Sequence, residues 1–119
     1  MPRVQKIDKE YIHMISDDDI QVAVDWLQNN AIESAKRVAE RKYLEEYRKS
    51  LKALIMKEHI DKPVTVQERE AYADQRYLMH LKALQIAIFK DEEMKFLRSA
   101  KEAKINAWQT QSANMRTKL

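Results

Sequence analysis

The sequence predicts an all-α protein: a long antiparallel helical hairpin with a short N-terminal arm, completed by oligomerisation into a bundle. Three observations predict it. Glycine is absent from the 119 residues and proline occurs only at Pro2 and Pro63, so the tight turns and left-handed caps that β-rich folds lean on lack their usual residue. The chain is rich in Ala, Lys, Glu, Leu and Gln, all good helix formers. Apolar residues also recur every fourth position through Ala23, Leu27, Ala31, Ala35, Ala39, Tyr43, Tyr47, Leu51 and Ile55, a ridge on one long helix. Each step of four overshoots a turn by about 40°, so the ridge winds around the axis and one straight partner cannot cover it. A homo-oligomer is therefore expected, with Tyr43, Tyr47 and Leu51 as its contact. Small residues such as Ala35 are expected where helices approach closely, and Glu there is expected to disrupt packing.

The length suits a single helical domain, residues 1–119. Residues 1–15 read as an arm carrying Ile7, Tyr11, Ile12, Met14 and Ile15. The first long helix spans 16–57, with Ser16 as cap and Asp19 where a capping-box acid reaches back; Asp17 and Asp18 favour the positive end of the dipole. At about 1.5 Å per residue such a helix implies an elongated fold. Pro63 marks the break. Thr65 and Glu68 then form a second capping box, opening a helix over 65–108. Its stripe is Ala73, Tyr77, Leu81, Leu84 and Ile88; beyond it Phe89, Phe96, Ala100, Ala103 and Ala107 make another, with a bend allowed near Lys90. Residues 109–119 are polar and expected to fray.

No catalytic or cofactor site is expected. Without glycine there is no Walker loop, dinucleotide fingerprint or nucleophile elbow, and without cysteine no thiolate ligand or nucleophile. Glu10 and His13 make one Glu-x-x-His, but the carboxylate-bridged metal bundle needs a second copy that the chain lacks. No run approaches the ~20 apolar residues of a membrane span, and the chain reads as cytoplasmic with no membrane partner.

Basic residues carry more information, although the formal net charge is only +3. Arg37, Arg41, Arg48 and Lys52 share one helical stripe, within reach of Glu40, Glu45 and Glu46, which suits a solvated face laced with ion pairs. On the second helix Arg98, Lys101 and Lys104 precede Trp108 and Arg116 with few acids between them. Such a segment suits single-stranded nucleic acid, the cations meeting phosphates and Trp108 stacking a base.

The closing segment runs Lys101-Glu102-Ala103-Lys104-Ile105-Asn106-Ala107-Trp108-Gln109-Thr110-Gln111-Ser112-Ala113-Asn114-Met115-Arg116. It resembles the carboxy end of small, largely uncharacterised helical proteins of tailed bacteriophages: a Lys-rich helix, then Trp, then a polar stretch closing on Asn-x-Arg. Trp108, Asn114 and Arg116 carry the match, and the similarity extends back through Thr65, Glu68 and Tyr77. The resemblance implies a place among replication and recombination functions in the host-cell cytoplasm. The expected function is a non-enzymatic accessory protein that binds single-stranded DNA or a DNA-bound protein through its basic C-terminal half. The alternatives are a helical module that inhibits or adapts a host protein, and a virion or scaffold component.

Overall fold

In a computed structural model of the chain, residues 14–118 are described. They form four helices and no strand: α1 (Asp17–Asn29), α2 (Ala31–Lys57), α3 (Val64–Ala73) and α4 (Gln75–Lys118). The fold is all-α, as composition requires. The N-terminal arm, apart from Met14 and Ile15, lies outside the described residues, as does the Glu10/His13 pair. The chain divides into two compact units, the first ending at Asn29 and resuming at Arg98, the second covering Asn30–Leu97.

Local chemistry explains the helix ends. The Ser16 box forms as expected: the Ser16 amide donates to Asp19 Oδ2 at 3.0 Å and the Asp19 amide to Ser16 Oγ at 3.1 Å. The expected helix over 16–57 is interrupted at Asn30, whose backbone sits at φ −104°, ψ 5°. Asn29 and Asn30 are both weak helix formers that compete for backbone hydrogen bonds. The expected Thr65 cap is displaced. Pro63 takes that position with extended ψ of 151° and no side-chain bond; its carbonyl accepts the amides of Val66 and Gln67, each at 3.0 Å. Thr65 thus falls inside the first turn. The break in the second helical stretch comes at Asp74, not near Lys90. Asp74 has extended backbone, φ −68° and ψ 136°, and its Oδ1 accepts the Arg76 amide at 2.8 Å, which makes it the N-cap of α4.

The second unit is an antiparallel hairpin. Its inward face on α2 follows Asn30, Ser34, Arg37, Arg41, Leu44, Arg48, Leu51 and Ile55, every one at least half-buried. On α4 the inward face is Tyr77, His80, Leu84, Ala87, Asp91 and Met94, all buried. Both alternate steps of three and four, the coiled-coil repeat of about 3.5 residues. This corrects the four-step ridge. Ala31, Ala35, Ala39 and Tyr43 are exposed, because the ridge drifts off the seam and rejoins it only at Leu51 and Ile55. Leu51, expected at an oligomer contact, is instead buried inside its own chain with Ile55, Ala71 and Tyr77. The phase change beyond Ile88 does not occur either: the inward face continues through Asp91 and Met94, leaving Phe89 and Phe96 exposed.

In the first unit, α1 presents Ile20, Ala23 and Leu27 and α4 presents Arg98, Lys101, Ile105, Trp108 and Ser112, all half-buried or buried. The tail expected to fray from Gln109 is helical through Lys118. One reason is Gln111, whose amide Nε2 donates to the Ile15 carbonyl at 2.8 Å while its Oε1 accepts the Ile15 amide at 3.0 Å. A primary amide matches a peptide group in both senses, so one side chain satisfies two backbone groups that no helix serves.

Candidate functional site

The seam of the second unit is unusual in what it buries. Three of its α2 positions are arginine, and a long aliphatic stem lets each one pack while its guanidinium seeks an acid. Arg41 Nε lies 2.9 Å from Asp91 Oδ2, and Asp91 is only 1% exposed. The approach lacks hydrogen-bond alignment, so its attraction is ionic. Lys95 Nζ adds a second cation at 3.4 Å from the same oxygen. Arg37 donates through Nη1 to Glu93 at 2.9 Å and to the Lys90 carbonyl at 3.0 Å, and through Nε to Glu33 at 3.1 Å. The Glu93 and then the Glu33 hydrogen bonds raise its pKa further above the ordinary guanidinium value.

The rest of the secondary stripe is also engaged or enclosed. Arg48 is half-buried in the seam. Lys52 Nζ donates to the Tyr72 hydroxyl at 2.8 Å and sits 4.6 Å from that ring's centroid. In the first unit Arg98 pairs with Glu102 at 3.8 Å, Lys101 lies over the Trp26 ring at 5.9 Å, and Trp108 Nε1 donates to Asp17 Oδ1 at 3.2 Å. Lys104 and Arg116 are exposed. Trp108 thus ties the C-terminal helix to the start of α1. No local pattern marks this contact, because Asp17 and Trp108 are 91 positions apart.

The opposite is true of apolar side chains. Beside the seam, on the face shared by α2 and α4, Tyr43 and Met79 are each 62% exposed and Ile86 is 57% exposed. Tyr43 stacks on Tyr47 with centroids 5.9 Å apart and planes 12° from parallel, and Tyr47 leans on the His80 ring at 5.5 Å. His80 is held by a 2.7 Å hydrogen bond between its Nε2 and the Leu44 carbonyl. An open groove of about 560 Å³ runs along this face, lined by Lys36, Ala39, Glu40, Tyr43, Ala87 and Lys90 among others. A hollow of about 200 Å³ between Leu44, Ala83 and Ile86 adjoins it through Glu40, Ala87 and Lys90.

At the turn end Arg76 grips two acids. Its Nη1 and Nη2 meet Glu58 at 2.8 and 2.9 Å, while Nε and Nη2 meet Asp74 at 3.0 Å each. These hydrogen bonds hold both carboxyls below the usual carboxylate range. The arrangement clips the end of α2 to the start of α4, and Arg76 is a residue that periodicity could not single out.

Among the described residues no group of three or more His, Cys, Asp or Glu is placed to hold a metal, and no helix is long and apolar enough to cross a membrane. The chain matches no family model, no curated protein and no solved structure.

Proposed function

We propose that the chain is a non-enzymatic helical interaction module that binds another polypeptide through the apolar face beside the α2/α4 seam. One observation carries this reading: Arg37, Arg41, Arg48 and Asp91 take places in the seam while Tyr43, Met79 and Ile86 are displayed to solvent. A patch of large apolar side chains rimmed by charge is the usual mark of a protein-binding surface. Two of the four cations expected to hold nucleic acid, Arg98 and Lys101, are engaged within the chain, which weakens the case for direct contact with DNA. The likeness of residues 101–116 to phage helical proteins supports a setting in phage DNA replication or recombination.

Two measurements test it. A photo-crosslinking residue in place of Met79 is expected to give protein adducts in cells. A labelled single-stranded oligonucleotide at low salt is expected to show no change in anisotropy. Oligonucleotide binding that falls steeply with salt and is lost in Lys104→Glu with Arg116→Glu overturns the proposal in favour of direct DNA binding.

A further inference from the structure

We infer that the partner on this face is a second copy of the chain, docked about a two-fold axis so that two hairpin layers close into a four-helix arrangement. The inference rests on the proposed polypeptide-binding role and names its partner. Three features of the groove carry it.

The first is charge. Lys36, Lys90 and Glu40 line one groove, and none of the three forms an ion pair among the described residues. A polyanion or an acidic peptide selects a surface of one sign. A surface carrying both signs within one turn of helix is suited to its own inverted copy, since in a two-fold interface residue i meets residue j and j meets i. Lys36 of one copy then faces Glu40 of the other, twice per dimer.

The second is shape. Ala39 and Ala87 are among the residues lining the groove, and small side chains permit a helix to approach closely. Tyr43 stands beside them as a plate already braced by Tyr47 and His80. Holding that ring before docking reduces the side-chain entropy lost on association.

The third is layering. Two helices joined by one seam bury one stripe each, whereas helical domains close around a core shared by further helices. Glu33, Lys36, Glu40, Tyr43 and Tyr47 form an exposed stripe on α2 that no helix among the described residues covers.

Sedimentation equilibrium of the full chain tests the inference. The wild-type chain is expected at twice the monomer mass, and Ile86→Glu is expected to lower that mass to the monomer without loss of helical circular dichroism. Because Ile86 is outside the seam, its substitution spares the hairpin. Lys36→Glu and Glu40→Lys are each expected to weaken the dimer by roughly tenfold in Kd, and the double variant is expected to regain most of it. Both positions are surface positions, so this pair reads the interface even if Ile86→Glu unfolds the chain. A monomer at every concentration overturns the inference, as does a dimer indifferent to both charge reversals or a double variant no tighter than the singles. A monomeric chain that still gives protein adducts at Met79 removes the second copy alone; adducts of nucleic acid remove the polypeptide reading itself.

Discussion

Replacing Arg41 by leucine is expected to destabilise the hairpin more than replacing Asp91 by leucine, and replacing both is expected to be better tolerated than either. Asp91 is 1% exposed and its other cation is Lys95 at 3.4 Å. Removing Arg41 leaves a buried carboxylate with only the partly exposed Lys95 beside it, which places the cost near the lower end of the range for a broken buried pair, about 3 kcal/mol. The Arg41 side chain is 20% exposed and has Glu92 at 3.7 Å and Glu45 at 3.8 Å. Removing Asp91 leaves it partly solvated and still beside two acids, which reduces the expected cost to about 1–3 kcal/mol. With both gone, leucines meet across a seam position and neither desolvation penalty remains, so the double variant falls within about 1 kcal/mol of wild type or exceeds it. The assay is urea unfolding followed by circular dichroism at one fixed chain concentration, because a dimer's stability depends on concentration. Singles of equal cost, or a double variant whose loss equals the sum of the two, would refute the reasoning, since additivity means the pair is uncoupled.

Other consequences can be measured on the same footing. Glu58 and Asp74 are held below the usual carboxylate range by hydrogen bonds to Arg76. The unfolded chain binds protons at these groups before the folded one does, so their contribution is full above the ordinary carboxylate pKa and is lost as pH falls through the lowered folded values. Arg76→Leu is expected to flatten the acid limb of a melting-temperature profile, and an unchanged limb would count against the clip. Gln111→Ala removes both bonds to the Ile15 backbone; faster amide hydrogen exchange at Ile15 is expected, and unaltered exchange would show that Gln111 does not hold this segment. Ala35 is exposed, so Ala35→Glu is expected to change stability by no more than about 0.5 kcal/mol. A large loss in that variant would restore the four-step ridge as the packing face.

The sequence by itself determined the fold class, the first helix start and the reversal of the chain. Absent glycine, strong helix formers, Ser16 with Asp19, and Pro63 act through local sterics and short-range hydrogen bonds, which leave their record within a few residues. It did not determine which face turns inward. A ridge of alanines and tyrosines looked like the packing surface, whereas the tertiary structure turns that ridge outward between Ala31 and Tyr43 and places Arg37, Arg41 and Arg48 in the seam. Apolar periodicity counts an arginine as polar, although its stem packs and its charge is met by an acid some fifty residues away. The same limit applies to the candidate sites. The basic residues and Trp108 were legible in the sequence, but Trp26 beneath Lys101, Asp17 beside Trp108 and Glu93 beside Arg37 became visible only when distant segments were brought together. Tertiary structure alone decided that charge lies inside this hairpin and aromatic surface outside it, because pairing across the seam depends on register, and register is a property of two helices at once.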